Sequence, residues 1–185
     1  MMTFVDRLYE TCYRITMFYQ DIFKAFYEKD IHYVVIGGIA INLHGAPRMT
    51  ADLDILADLR KENLSLLLET LQELGYRPKL PVSPHELLDP KKREEWKKEK
   101  GLKAFTFYHP KIKFQELDIL LDSPRSFELI DQAKIIVKIN SVHIPVISID
   151  HLIEMKRRTG REQDESDVHV LEKIKRLGSG EPSGG

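Results

Sequence analysis

The sequence has 185 residues, which is enough for one folded domain with a small helical extension and a buried core. Its 28 basic and 29 acidic residues give a formal net charge of −1, which excludes a strong overall field for nucleic acid or an anionic membrane. The single cysteine, Cys12, excludes an intrachain disulfide and a cysteine metal cluster. We expect a cytoplasmic protein with no signal peptide and no membrane span.

The N-terminal segment has the apolar spacing of a long helix over residues 3–29. Its stripe is made by Val5, Leu8, Cys12, Ile15, Tyr19, Ile22 and Phe26. So wide an apolar surface is expected to pack on the domain or on a second copy of the chain, as a homo-oligomer. We assign residues 1–30 to this helix, 31–177 to the main domain and 178–185 to a disordered Gly- and Ser-rich tail.

A strand, a glycine pair and a short helix follow. The pattern predicts a strand over 32–36, a helix from about 39 to 43 and a second strand over 49–56. Gly37 and Gly38 let the backbone approach a ligand closely, and they precede a helix N-terminus, whose free N–H groups favour anions. This arrangement suits a triphosphate.

The second predicted strand alternates polar and apolar side chains. Side chains along a strand point to opposite faces in turn, so one face is expected to carry Arg48, Thr50, Asp52 and Asp54. Two neighbouring carboxylates repel each other unless a cation lies between them. The hard oxygen ligands favour Mg²⁺ or Mn²⁺, which usually also bind substrate phosphates.

The remaining elements predict a mixed α/β sheet. Asp58 is expected to cap a leucine-rich helix that ends before Gly75. The later elements, in chain order, are a strand at 76–80, mostly helix over 84–100, a hairpin of strands 103–108 and 112–121, a helix near 125–132, a hairpin of strands 134–139 and 142–147 turning at Asn140-Ser141, and helices at 149–158 and 164–177.

Asp118 lies in one of these strands, between Leu117 and Ile119. An acid in such a strand is costly unless it faces solvent or a site. Two-metal chemistry on phosphates needs one group that activates the attacking hydroxyl beside the groups that hold the triphosphate. Asp118 is the candidate for the hydroxyl side.

The glycine pair, the Arg-x-Thr-x-Asp-x-Asp spacing and the distant acidic strand together resemble the nucleotidyltransferase superfamily, which has a polymerase-β type of palm. The nearest likeness is its minimal bacterial and archaeal branch, which includes abortive-infection toxins, and it covers about residues 33–175. The resemblance implies a nucleotidyltransferase fold flanked by the N-terminal helix and two C-terminal helices. It also implies a magnesium-dependent enzyme that moves a nucleoside monophosphate from a triphosphate such as ATP or GTP to a hydroxyl.

The resemblance also implies roles for individual residues. Asp52, Asp54 and Asp118 would be the catalytic metal ligands. Gly37, Gly38, Arg48, Thr50 and Lys156 would bind the nucleotide. The family often has Gly-Ser where this chain has Gly-Gly, so the contact at Gly38 would be made by backbone alone. Asp164 and Asp167 are expected to point inward, toward Arg161 or Arg157.

Several alternatives stay open. The acceptor could be an RNA end such as that of tRNA, a protein hydroxyl or a small molecule, although the absence of a large basic surface disfavours long RNA. A non-catalytic nucleotide-binding or partner-binding domain is the main rival, and a metal-dependent phosphodiesterase is a second. The scattered histidines predict no zinc site. The run 91–100 could contact nucleic acid through its cations and Trp96, but its glutamates favour a solvated helix.

Overall fold

The computed structural model describes residues 17–178. Most of the predicted N-terminal helix and the predicted disordered tail therefore lie outside the described residues. The helices are α1 (Gln20–Glu28), α2 (Gly37–Leu43), α3 (Lys61–Glu73), α4 (Pro90–Lys100), α5 (Phe127–Gln132), α6 (Ile149–Thr159) and α7 (Glu162–Gly178). The strands are β1 (Tyr33–Val35), β2 (Leu53–Ala57), β3 (Arg77–Pro78), β4 (Ala104–Tyr108), β5 (Glu116–Leu120), β6 (Ile135–Ile139) and β7 (Val142–Val146).

The strands form one mixed sheet in the order β3-β4-β5-β2-β1-β7-β6. The pairs β2·β5 and β1·β7 are parallel, and the other neighbours are antiparallel. Both predicted hairpins, β4·β5 and β6·β7, are confirmed, and Asn140 makes the second turn with a φ of 55°. The predicted mixed α/β class is confirmed.

The core lies on both sides of the central strands. All three residues of β1 are buried. Helix α1 packs against β7 and α3, and its Ile22, Phe23 and Phe26 are almost completely buried. Each such side chain stabilises the fold by roughly 1.5–3 kcal/mol when it leaves water. Association of two copies through the N-terminal helix stays a prediction.

Two boundaries near the glycine pair differ from the prediction. Helix α2 begins at Gly37, so both glycines belong to its first turn instead of preceding it. Strand β2 begins at Leu53, and the prediction that it starts at residue 49 is wrong. Two contacts occupy backbone groups ahead of Leu53. The Asn42 side chain accepts from the Arg48 N–H at 2.6 Å and donates to the Arg48 carbonyl at 2.9 Å, and the Ala51 carbonyl accepts from the Tyr19 hydroxyl. These bonds use backbone groups that a strand would offer to its neighbour.

The start of helix α3 also differs from the prediction. Asp58 does not cap it, because the helix begins at Lys61 and the Asp58 carboxylate accepts from the Arg60 N–H at 2.9 Å and its Nε at 2.7 Å. Gly75 does follow the helix with a φ of 87°, as its position predicted.

The charged helix α4 is solvated on most of its surface. Its lysines and glutamates pair within the helix, as Lys97 does with Glu94. Trp96 is only 2% exposed and packs on Phe105 with ring centroids 5.5 Å apart, so it cannot stack on a nucleic-acid base. None of the described helices is long and apolar enough to cross a membrane.

Candidate active site

The pairing of β2 with β5 brings two of the predicted carboxylates together. Asp54 and Asp118 are register partners on these neighbouring parallel strands, so their side chains lie on the same face of the sheet. Neighbouring strands are about 4.8 Å apart, which is well within the reach of a shared ion. Thr106 of β4 continues the same row beside Asp118. Both aspartates are half-buried.

A second group of charged side chains lies two residues before Asp54 and Asp118 in their two chain segments. Asp52 is in the loop directly before β2, and the negative charges of Glu116 and Asp118 both act on it. Glu116 accepts from the Lys79 ammonium at 2.8 and 2.9 Å. Sequence reasoning missed both members of this pair. The Glu116-x-Asp118 spacing could have placed Glu116 on the same face, whereas nothing local distinguished Lys79.

Asp54 and Asp52 both have a pKa above the ordinary value of an aspartate. Burial is the largest cause at Asp54, and with the charges of Asp118 and Asp52 it raises the pKa of Asp54 to about 7. The Lys156 charge and a hydrogen bond from the Gly38 backbone act in the opposite direction. Burial, followed by Glu116 and Asp118, also raises the pKa of Asp52. The site therefore holds its negative charge at an energetic cost.

One carboxylate oxygen has no partner. Asp118 Oδ1 is buried and makes no hydrogen bond within the described part of the chain. Across residues 17–178, no three His, Cys, Asp or Glu side chains are arranged to hold a metal by themselves. Mg²⁺ is usually held by one or two carboxylates together with substrate phosphates and water. The oxygen donors therefore fit Mg²⁺ or Mn²⁺ in a site that the phosphates of a substrate complete.

The glycine pair packs directly against this group. Gly37 has a φ of 66°, and a Cβ atom there would lie 2.0 Å from Asp54 Oδ2. A Cβ on Gly38 would lie 2.7 Å from Thr50 Oγ1. Both glycines are therefore required by close approach, and Gly37 also by its backbone conformation. The first turn of α2 and Thr50 form one wall beside Asp54.

The predicted cations lie in a charge-balanced network. Lys156 donates to Asp164 Oδ1 and Asp167 Oδ2, both at 2.8 Å, and Arg48 Nε is 2.8 Å from Asp167 Oδ1. Both aspartates are buried, so the prediction that they point inward is confirmed. Arg157 is not their partner, because it pairs with Glu172, whereas the charge of Arg161 does act on Asp164, beside the ion pair with Lys156. An ammonium has three donors, so Lys156 keeps one for a ligand.

The close approach at Gly37 predicts a specific sensitivity to substitution. Gly37→Ala should destabilise the protein by roughly 3 kcal/mol or more, because the left-handed conformation costs ~1–2 kcal/mol and the collision with Asp54 adds to it. Gly101→Ala is the matched control, since Gly101 has a φ of 59° and open space around it. Urea denaturation of both variants measures the difference. Equal losses of stability would show that Gly37 has no steric role.

The raised pKa of Asp54 predicts how stability depends on pH without metal. Between about pH 4 and 7, Asp54 ionises in the unfolded chain before it does so in the folded protein, so stability falls as pH rises. Asp54→Asn removes this loss and should exceed the wild type by ~2 kcal/mol more at pH 7.5 than at pH 4.5.

The measurement for Asp54 is urea denaturation in a chelator at the two pH values. Asp122→Asn, at an exposed position just after β5, serves as the control. A gain from Asp54→Asn that stays constant or shrinks as pH rises would contradict the electrostatic account of the site.

Comparisons with known proteins relate the whole described architecture to solved structures. No family model matches the chain, and a search of curated proteins found no match. The chain is similar to the lincosamide antibiotic adenylyltransferase LnuA with lincomycin bound (19% identity, TM-score 0.56, covering 85% of this chain and 95% of that one). It is also similar to the antibiotic-resistance factor ANT(2'')-Ia in solution (14%, 0.55, 91% and 91%). A third similar structure is an antigenic nucleotidyltransferase-like protein from Paracoccidioides brasiliensis (16%, 0.56, 88% and 76%). At these identities the likeness establishes the architecture, and the chain therefore has the nucleotidyltransferase fold.

Proposed function

We propose that the protein transfers a nucleoside monophosphate from a nucleoside triphosphate to a hydroxyl group and releases pyrophosphate. The observation that carries the proposal is the register pairing of Asp54 with Asp118, beside the first turn of α2. Carboxylates that repel each other on a half-buried face, one with an unpartnered oxygen, are suited to a divalent cation. A bound Mg²⁺ or Mn²⁺ would supply Lewis-acid stabilisation of the phosphate oxygens.

The residues divide into a nucleotide side and an acceptor side. Asp52, Asp54 and Asp118 would hold the ion that carries the triphosphate, and Asp118 would also face the acceptor hydroxyl and receive its proton. A bond forms between the acceptor oxygen and the α-phosphorus, the bond from the α-phosphorus to the bridging oxygen breaks, and pyrophosphate leaves. Lys156 places a positive charge near the leaving group, where charge develops.

The remaining predicted residues orient the triphosphate. Gly37 and Gly38 present backbone to the phosphates, and Thr50 stands beside Gly38. Arg48 is tied to Asp167 and adds a second cation at the edge of the site. Because Asp167 contacts both Arg48 and Lys156, the two cations are held in a fixed relation to each other.

A small molecule is the acceptor that we favour over an RNA end or a protein. The solved structures that share the fold include an antibiotic adenylyltransferase and an antibiotic-resistance factor. The near-zero net charge and the buried Trp96 give long RNA no obvious surface. The sequence likeness to abortive-infection toxins and the cytoplasmic location stay predictions.

A non-catalytic nucleotide-binding domain is the rival function. Such a domain needs the triphosphate side of the site but gains nothing from the repulsion that Asp118 imposes on Asp54. Retention of the third carboxylate in register with the second therefore favours catalysis.

The test is incubation with each α-labelled nucleoside triphosphate, Mg²⁺ or Mn²⁺, and separate panels of aminoglycosides, lincosamides, RNA and proteins. We expect label transfer to a small molecule with pyrophosphate release, starting with ATP. Asp118→Asn should lower the rate by about 10³-fold, since it removes an ion ligand and proton acceptor.

Asp122→Asn removes a carboxylate from the opposite end of the same strand and should leave the rate unchanged. Nucleotide binding without transfer to any panel would support the non-catalytic rival. Equal rates in the two variants would refute the role assigned to Asp118.

A further inference from the structure

Tyr19 lies between the two chain segments that carry the carboxylates, although no motif includes it. Its side chain is 1% exposed, directly before α1. The phenol oxygen is 2.8 Å from the Glu116 carbonyl and within hydrogen-bond distance of the Ala51 carbonyl.

These contacts are made to the backbone next to the predicted site residues. Ala51 directly precedes Asp52, and Glu116 is two residues before Asp118. The parallel pairing of β2 with β5 starts at Leu53 and Leu117, so the phenol connects the two chains where their pairing begins. An adjacent bond, from the Gln115 side chain to the Phe18 carbonyl, ties the same part of β5 to the start of α1.

The electrostatics agree with this position. Burial raises the pKa of the Tyr19 hydroxyl, and the negative charges of Asp52 and Asp54 raise it further. The phenol is therefore kept protonated and able to donate. Because a hydroxyl has one proton, the two carbonyls share that proton or accept it in turn.

We infer that Tyr19 is a positioning residue that sets the distance between the Asp52 and Asp118 segments. The inference rests on the proposed function for its effect on turnover. The geometric part stands by itself, because repelling carboxylates push the two segments apart and the phenol joins their backbones. A displacement of about 1 Å at such a site costs up to roughly 10²-fold in rate.

The test compares Tyr19→Phe with Tyr33→Phe. Both variants remove one hydroxyl from a buried tyrosine, but the Tyr33 hydroxyl has no hydrogen-bond partner among the described residues, so its loss should change nothing at the site. Tyr19→Phe should lower kcat about tenfold while the KM for the nucleotide changes less than about threefold. The metal-free variant should also exchange the amide hydrogens of Leu53 and Asp118 faster, since these amides point across the β2·β5 pair, with the amides of β6 and β7 unchanged.

The exchange rates test the positioning role of Tyr19, and turnover tests its effect on the proposed reaction. Faster exchange confined to Leu53 and Asp118, together with the fall in kcat, supports the inference. Unchanged exchange, or exchange that rises uniformly over the sheet, would show that Tyr19 only packs and would overturn it. If the wild type transfers no nucleotide, the proposed function fails, and the positioning role is then decided by the exchange rates alone.

Discussion

The repulsion between Asp54 and Asp118 is the constraint to which the rest of the site is fitted. Parallel pairing of β2 with β5 fixes these carboxylates side by side on a half-buried face, where low solvent exposure strengthens the repulsion. The neighbouring residues accommodate the Asp54 carboxylate or partly offset its negative charge. Gly37 leaves room for the Asp54 carboxylate, and the Gly38 backbone donates to it. Such a cost is typical of active sites, where local stability is given up for function.

The C-terminal helices add a second constraint, because ion pairs between side chains connect them to the site. Asp167 contacts Lys156 on α6 and Arg48 in the loop before β2, while Asn42 holds that loop by its backbone. The charges in this network balance, so its members are buried at a tolerable cost, although removal of one partner would leave an uncompensated buried charge. The network makes the position of Lys156 depend on the same loop that leads to Asp52. The proposed phosphate-binding and metal-binding sides of the site are thereby coupled.

Local patterns predicted the strands, the hairpins and a helix start at the glycine pair, because alternation and turn residues act over a few positions. They also placed Asp54 on a polar strand face and indicated that Asp118 faces solvent or a site. They failed where a distant group makes the contact. The side chains of Asn42 and Tyr19 bond to the backbone of Arg48 and Ala51 ahead of β2, and the ion-pair partner of Asp164 is Lys156 of the preceding helix. The Lys79–Glu116 pair depends on β3 and β5 lying on either side of β4, and the Tyr19 contacts depend on where α1 packs. The spacing of Glu116 and Asp118 indicates a shared strand face, but the choice of Lys79 as partner and the Tyr19 contacts leave no signal in the sequence.

The most direct test of the central claim is a crystal structure with Mn²⁺ and a non-hydrolysable ATP analogue, with the ion located by anomalous scattering. We expect an anomalous peak about 2.2 Å from carboxylate oxygens of Asp54 and Asp118, with triphosphate oxygens completing its coordination. The phosphates should lie against Gly37 and Gly38. A nucleotide bound elsewhere, or a manganese ion that contacts neither aspartate, would contradict the account.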